Sequence, residues 1–172
     1  MDVRFTEDNR GNRLLVIDGA RIMFRNFRGE GSKYNREGDR NFALVIPNQE
    51  LADKLINDTN EDGAGWNVKI KAPRDGYDDP LMYLPVKIKF TGYGPNVYLI
   101  TNGRQHKLEE EDVARLDRIE IASVDLDIRA YDNITQGRSY RTAYLQSIRV
   151  HQDSSDRFAD SYDREDDTPF YN

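Results

Sequence analysis

Short runs of alternating or β-branched residues recur along the chain, and turn-forming residues separate them. The runs lie at 14–18, 20–27, 41–46, 66–71, 81–90, 96–100, 119–131 and 138–150. The separators include Asp-Gly and Asn-Gly pairs, whose glycine takes the positive φ that tight hairpins require. Alternation with period two places one face of a strand against a core and the other in solvent. The pattern therefore predicts a mainly β fold of about eight strands.

Two segments have the pattern of a short helix. In the segment 48–57, Asn48 follows a proline and can cap a helix whose apolar residues share one face. The segment 109–116 places acidic residues in its first turn, where they favour the helix dipole. Many short strands with one or two short helices fit an OB-fold-like antiparallel barrel elaborated with extra strands. A β-sandwich is the alternative, because strand spacing does not separate barrels from sandwiches.

Charge is unevenly distributed along the 172 residues. The chain has a net charge of −6, and the stretch 151–172 alone has six aspartates and one glutamate against two arginines, a net charge of −5. This stretch has no aliphatic run, so its burial cannot offset the entropy lost on ordering. The sequence therefore predicts one folded domain over 1–150, almost neutral, and a disordered acidic tail over 151–172.

Composition limits the chemistry that the chain can perform. It has no cysteine, which excludes disulfides, thiolate metal sites and cysteine nucleophiles. Its two histidines, His106 and His151, are far apart in sequence, which argues against a histidine-based metal site or catalytic triad. Gly-x-Gly pieces occur without the lysine of a nucleotide-binding loop. We expect no cofactor, no metal, no catalytic residue and no membrane-spanning segment, and a cytoplasmic location.

A metal-dependent nuclease is a weaker alternative. Asp117, Glu120, Asp125 and Asp127 are acidic and close in sequence, as in sites that hold two metal ions. However, Asp125 and Asp127 alternate with apolar residues and are followed by Arg129 on the same side of the strand. These carboxylates are therefore expected on the solvated face of a strand.

Two strands are predicted to combine an apolar face with a cationic one. Alternation over 81–90 points Val86, Ile88 and Phe90 one way. It points Tyr83, Lys87 and Lys89 the other way. Over 20–27 the same rule places Ile22 and Phe24 inward. The residues on the outer side are Arg21, Arg25 and Phe27. Single-strand binders that do not read sequence need this combination of cations for phosphates and rings for bases.

The second of these strands continues into a glycine-rich segment that we expect to act as a flexible clamp. Between residues 25 and 40 the chain has a net charge of +2. The last strand also alternates cations with aromatic rings. The candidate DNA-binding residues are Arg21, Arg25, Phe27, Arg28, Lys33, Tyr34, Arg36, Arg40, Tyr83, Lys87, Lys89, Arg138, Tyr140, Arg141 and Tyr144.

The acidic tail resembles that of a known family. Bacterial single-stranded-DNA-binding proteins and their phage counterparts end in a mobile acidic tail with aspartates, a proline and a phenylalanine, and Asp166-Asp167-Thr168-Pro169-Phe170 is similar to that ending. Tyr171 and Asn172 follow, which the family pattern lacks. The order of strands in the body, with the stretch 21–27 near its start, is similar to that of phage-encoded members. The resemblance implies a partner-binding tail made of Asp163, Asp166, Asp167, Pro169, Phe170 and Tyr171.

This resemblance and the cationic faces together predict a non-enzymatic protein. The expected function is sequence-independent binding and protection of single-stranded DNA in phage or bacterial replication, recombination and repair. Replication or recombination proteins would bind the tail, homo-oligomers are possible, and a phage-encoded protein would act in the host cytoplasm. A β-rich structural or interaction protein of a virion is the alternative, since it would share the strands and a solubilising tail.

Overall fold

The computed structural model describes residues 1–156 except residues 74, 77 and 93. Those residues form ten strands, one α-helix and one 3₁₀-helix. The strands are β1 (Asp2–Glu7), β2 (Arg13–Ala20), β3 (Ile22–Asn26), β4 (Arg40–Val45), β5 (Lys69–Lys71), β6 (Leu81–Ile88), β7 (Asn96–Thr101), β8 (Arg104–Leu108), β9 (Ile121–Thr135) and β10 (Arg138–Gln152). Helix α1 is Gln49–Asn57 and the 3₁₀-helix is Glu110–Asp117. The prediction of a mainly β fold is confirmed.

The ten strands form one sheet in the order β1-β2-β9-β10-β6-β4-β3, with β5 paired to β6 and β7 paired to both β10 and β8. The pairs that β10 makes with β6 and β7 are parallel, and the others are antiparallel. The sheet does not close by hydrogen bonds between its end strands. However, β2 and β3 are consecutive parts of one segment separated only by Arg21, so the chain itself links the two sides. The arrangement is consistent with an OB-like fold elaborated with extra strands.

The core lies inside this curved sheet, and alternation in the strands fills it. Its fully buried side chains include Leu15, Ile17, Leu44, Leu84, Val86, Leu126, Ile128 and Ile148. Helix α1 adds Leu51, Ala52 and Leu55 to the same cluster. Among the described residues no helix is long and apolar enough to cross a membrane.

Both helices begin where their capping residues predict. The Asn48 side chain accepts a hydrogen bond of 2.9 Å from the backbone N–H of Leu51, which satisfies one of the free donors in the first turn of α1. Glu109 and Asp112 form a reciprocal capping box at the start of the 3₁₀-helix. The two helical segments predicted from the sequence are therefore confirmed to within one residue at each end.

The faces predicted for 20–27 are confirmed at Arg21, which is exposed, and at Ile22, which packs against the core, but they are wrong at Phe24 and Phe27. Phe24 has a φ of 52° and the register of β3 with β4 shifts between Met23 and Asn26. Such an irregularity changes which side chains point inward, so simple alternation fails beyond it. Phe24 is 59% exposed, whereas Phe27 is fully buried and stacks on Phe42 with ring centroids 5.6 Å apart. Phe27 is a core residue and its ring is out of reach of a bound base.

Other differences concern strands whose formation depends on their neighbours. The run 66–71 forms a strand only at Lys69–Lys71, and Trp66 is buried. Strands β1 and β8 were not predicted from the sequence. Strand β8 has little apolar character apart from Leu108, and it is a strand because it pairs with β7 over five positions.

The fold extends past residue 150, where the sequence analysis placed the start of the tail. Strand β10 continues through Gln152, and Asp156 is 6% exposed. The Asp156 carboxylate accepts hydrogen bonds from the backbone of Glu120 at 2.6 Å and from the Gln152 side chain at 3.0 Å. The predicted partner-binding tail, from Asp163 to Tyr171, lies outside the described residues.

Phe24 and Phe27 provide a matched test of the bent strand. We expect Phe27→Ala to lower the free energy of unfolding by about 3–5 kcal/mol, because it leaves a cavity in the core. Phe24→Ala should lower it by about 0.5 kcal/mol or less, as exposed substitutions do. Urea unfolding of both variants measures the difference. Equal losses would contradict the bend at Phe24.

Candidate nucleic-acid interface

A groove crosses the outer face of the sheet where β6, β9 and β10 meet. It consists of two adjoining cavities of about 540 and 460 Å³ that share Lys89 and Thr91. The first cavity lies over β9 and β10, and the second reaches the glycine-rich segment between β3 and β4. In a β sheet the outward side chains of neighbouring strands stand side by side, so several strands supply one surface. We refer to these two cavities together as the groove.

Tyr144 of β10 occupies the centre of the first cavity. Lys89 Nζ and the Arg129 guanidinium each lie 5.5 Å from the centroid of its ring. The Tyr131 ring packs edge-on against it, with centroids 6.1 Å apart. Two cations on one ring are attracted by its quadrupole, and they are also available to phosphates. Tyr144 and its neighbours therefore form a stacking platform surrounded by positive charge.

The groove is positively charged although the whole chain is negative. Six cationic side chains line the groove, against three acidic ones. The cations are Arg10, Arg36, Arg40, Lys87, Lys89 and Arg129, and the acids are Asp8, Asp39 and Glu110. Two of the acids are already paired, Asp39 with Arg36 at 3.5 Å and Glu110 with Arg40 at 2.9 Å. The local field therefore favours phosphate in the groove.

A second aromatic pair lies farther along the same outer face. Phe24, turned outward by its positive φ, packs edge-on against Tyr83 of β6 with ring centroids 5.6 Å apart. Alternation in β6 is as predicted, because Val86 and Ile88 are buried while Tyr83 is half-buried and Lys87 is exposed. The pair extends the aromatic surface along the outer face of β6.

The glycine-rich segment between β3 and β4 is a hydrogen-bonded loop rather than the flexible clamp that its glycines predict. The Asn35 side chain donates to the carbonyls of Glu30 and Asp39, both at 2.9 Å. Gly29 has a φ of 74°, and a Cβ there would lie 3.1 Å from the backbone of residue 38, so only glycine fits. The loop exposes Lys33 and Tyr34 at its tip, and Tyr34 is 89% exposed.

The distal halves of β9 and β10 form a hairpin arm, residues 131–142, beside the groove. Its turn has φ values of 52° at Gln136 and 77° at Gly137, which match a two-residue hairpin turn. All residues from 131 to 138 are exposed. Tyr131 and Tyr140 are 49% and 48% exposed, so the arm presents two rings to solvent.

Arg141 anchors this arm and does not face DNA. Its side chain is 3% exposed, and its Nε and Nη2 donate to the two carboxylate oxygens of Asp132 at 2.8 and 3.0 Å. Its Nη1 donates to the Asp58 carbonyl at 2.7 Å, and its guanidinium lies 5.1 Å from the Trp66 ring centroid. The prediction of a direct DNA contact is wrong for Arg141, because the pleat points it to the side opposite Tyr140 and Tyr144.

The carboxylates of this network are held in their charged form. Burial raises the pKa of Asp58, but hydrogen bonds from Arg13 and Trp66 outweigh burial and the pKa lies below its ordinary value. Burial likewise raises the pKa of Asp132, and the hydrogen bond from Arg141 outweighs it, so this pKa is also lowered. The arm is therefore fixed to the body by charged groups at neutral pH.

The structure divides the sequence-predicted residues between the groove and other places. The groove contains Arg36, Arg40, Lys87, Lys89 and Tyr144. Exposed positions outside its lining are Arg21, Arg28, Lys33, Tyr34, Arg138 and Tyr140. Arg25 is half-buried and donates to the carbonyls of Leu116 and Ile119 at 2.6 and 2.7 Å, which fastens β3 to the 3₁₀-helix. Arg40 combines both roles, since it donates to the Phe27 carbonyl and lines the groove.

Four cationic or aromatic residues of the groove were absent from the sequence-based candidates: Arg10, Phe90, Arg129 and Tyr131. Arg129 and Tyr131 continue the outward face of β9, so alternation alone carried a signal for them. Their position beside Tyr144 depends on the register, in which Arg129 faces Tyr144 and Tyr131 faces Thr142. Arg10 lies in the turn between β1 and β2, and its position in the groove follows only from the tertiary structure.

The carboxylates considered for metal binding stabilise the fold. Asp117 accepts the backbone N–H groups of Phe27 and Arg28 at 2.8 and 2.9 Å. Asp125 contacts His151 at 2.8 Å, and Asp127 accepts from the Ser147 hydroxyl at 2.7 Å. Across residues 1–156, with the three gaps given above, no cluster of three or more potential metal ligands occurs.

An OB-like fold with a cationic groove that contains exposed aromatic rings is typical of proteins that bind single-stranded nucleic acid. The family profile described as "Putative phage ssDNA-binding domain" matches residues 6–168. The match spans nearly the whole chain, and this protein belongs to that family.

Solved structures of a single-stranded DNA-binding protein from bacteriophage Enc34 have a similar fold. The full-length structure has 12% identity and a TM-score of 0.50, covering 94% of this chain and 99% of that one. The C-terminally truncated structure has 14% identity and a TM-score of 0.54, and the complex with ssDNA has 14% and 0.53. These two matches each cover 91% of this chain and 98% of the other. The comparison with curated proteins gave no match.

Asp132 allows a test of how the arm is held, because charge and geometry predict opposite results. Neutralising an acidic residue near DNA ordinarily strengthens binding. We expect Asp132→Asn to weaken binding to single-stranded DNA instead, because Arg141 loses its bidentate partner and the arm loses its orientation. Fluorescence anisotropy with an oligonucleotide measures the affinity.

Glu61→Gln is the matched control. Glu61 is exposed and directly follows Asn60, which contacts Asp132. This substitution removes the same charge and leaves the contacts of Arg141 intact, so the affinity of the variant for single-stranded DNA should not fall. Stronger binding by Asp132→Asn would show that freeing Arg141 supplies a phosphate contact, contrary to the anchoring role.

Proposed function

We propose that this protein binds single-stranded DNA without reading its sequence. The observation that carries the proposal is Tyr144, whose ring lies in the groove with Lys89 and Arg129 each 5.5 Å from its centroid. A ring accepts any base by stacking, and cations beside it neutralise the phosphates on either side of that base.

The features that border the groove support a strand rather than a duplex. The groove is bordered by the loop that carries Lys33 and Tyr34 and by the arm that carries Tyr131 and Tyr140. In OB folds the loops after the first strand and before the last one border the oligonucleotide site. The glycine-rich loop follows the continuous segment of β2 and β3, which corresponds to the first OB strand. The hairpin arm joins β9 to the last strand, β10. Exposed rings favour bases that are unstacked, which only single strands offer.

Family membership supports a role in phage DNA metabolism. We propose that the protein coats and protects single strands exposed in replication, recombination and repair, in the cytoplasm of the host. The role requires binding and no catalysis, and we propose that the protein is not an enzyme. The bacteriophage Enc34 protein, which is similar in fold, is described in complex with ssDNA. Homo-oligomers along the strand are part of this proposal.

We also propose that the acidic tail recruits a replication or recombination protein. The support is in its sequence: Asp163, Asp166 and Asp167 precede Pro169 and Phe170. Carboxylates steer association with a basic surface, and an aromatic ring beside them fills an apolar pocket. Tyr171 follows Phe170 and would extend the apolar contact.

The alternative is a structural or interaction protein of a virion. Such a protein needs a β fold and a solubilising tail, but it does not need two cations beside a half-buried ring in a groove. The two functions differ in salt-dependent binding to oligonucleotides.

The first experiment is a titration of fluorescent poly-dT of about 30 nucleotides, longer than the roughly 4–16 nucleotides that one OB fold covers. We expect tight binding that weakens as salt rises, because cations released from the strand drive association. Tyr144→Ala should weaken it about 5- to 150-fold, the equivalent of roughly 1–3 kcal/mol for one base stack.

A duplex of the same length is the specificity control, and Phe5→Ala is a control for loss of an aromatic ring outside the groove. Failure of the full-length protein and of a variant truncated after residue 156 to bind poly-dT would refute the proposal. That result would favour the virion protein.

A further inference from the structure

The outer face that carries the groove continues onto two strands that lie beyond it. Along one edge of β10, β6 pairs at Tyr144 and β7 pairs from Ser147 to His151. Strand β8 then pairs with β7. The outward side chains of β10, β7 and β8 therefore form one surface with those of β9 and β6.

One arrangement of side chains occurs twice on this surface. In the groove, Tyr144 has Arg129 as its partner on one neighbouring strand and Lys87 on the other. On the added strands, Tyr98 has Arg149 on one side and Lys107 on the other. Residues directly opposite in neighbouring strands have Cβ atoms about 4.5–5.5 Å apart. Each tyrosine thus stands between an arginine and a lysine.

Burial shows that the second set faces the same way as the first. Val97 and Leu99, which flank Tyr98, are buried, and so are His106 and Leu108, which flank Lys107. On β10 the register shifts between Leu145 and Ser147, so the outward positions become Tyr144, Ser147 and Arg149. Tyr98 is half-buried, whereas Arg149 and Lys107 are exposed.

The surface between the two sets is free of charged side chains on β10 and β7. It is made by Ser147 and Asn96, which are partners in the register, and Asn96 also lines the first cavity of the groove. The Asn96 side chain is placed to donate a hydrogen bond to a nucleic-acid backbone that approaches here, whereas the Ser147 hydroxyl donates to Asp127 at 2.7 Å. From Tyr144 to Arg149 along β10 is about 15 Å at the usual rise per residue.

We propose that Tyr98, Arg149 and Lys107 form a second contact site for the same DNA strand, reached past Asn96 and Ser147. It rests on the proposed single-strand binding and extends the path of the strand beyond the groove. The acidic neighbours on this side are Asp125 and Asp127 of β9. Asp125 contacts His151 and the Gly19 backbone N–H, and Asp127 accepts from the Ser147 hydroxyl. In the strand register, Arg149 has Asp125 as its partner on β9 and Tyr98 as its partner on β7.

The test compares a short and a long oligonucleotide, of about 8 and about 16 nucleotides, within the range of sites on OB folds. The short strand fills the groove, and the long one also reaches Tyr98. We expect the wild-type protein to bind the long strand more tightly. The double variant Lys107→Glu and Arg149→Glu should lose that gain, with the affinity for the short strand unchanged. Tyr98→Ala should weaken binding of the long strand about 5- to 150-fold and leave binding of the short strand unchanged.

Arg4→Glu is the matched control, because Arg4 is an exposed cation on the outer face at β1, away from this path. It should leave the gain for the long strand in place. Melting temperatures check that each variant is folded, and the glutamate variants, at exposed sites, keep the test informative if Tyr98→Ala unfolds. If neither site variant reduces the gain, the second site is refuted while binding of the short strand still stands. If neither oligonucleotide binds the wild-type protein, the proposed function fails as well.

Discussion

The pairing of β9 with β10 is the interaction on which the rest of the structure depends. The two strands share fourteen residue pairs, and β10 also pairs with β6 and β7. The inward face of β10 contributes Leu145, Ile148 and Val150 to the core. The opposite face of the strand holds Tyr144 in the groove, and the end of β10 nearest the turn forms the hairpin arm. A shift of one residue in this register would exchange the core face for the groove face.

The arm reaches beyond the core, so charged groups rather than apolar burial fix its direction. Arg141 joins Asp132 on the arm to Asp58 at the end of α1, and Arg13 and Trp66 satisfy the remaining oxygens of Asp58. A buried ion pair adds little net stability, because desolvation offsets most of the attraction between the charges. Its directional hydrogen bonds do define one orientation. This network holds the arm beside the groove with its rings exposed.

Several elements could be predicted because local chemistry decides them. Asn48 caps α1, and the faces of β6 follow alternation, with Val86 and Ile88 inside and Lys87 outside. Prediction failed at Phe24, because one residue with positive φ changes the alternation and places Phe27 in the core. The same limit applies to the groove. Five of its cations and rings were predicted, whereas the register, a distant turn and the end of the β6 segment supplied the others.

The sequence by itself determined a mainly β fold, the two capped helices and the separation of the acidic stretch from a nearly neutral body. These properties depend on neighbouring residues, whose periodicity and charge can be read along the chain. Only the tertiary structure decided that Arg141 is an anchor, that Arg129 stands over Tyr144, and that Tyr98 faces the same way as Tyr144. Each of these depends on strand register and on a bulge or bend, which place residues distant in sequence within a few ångströms of one another.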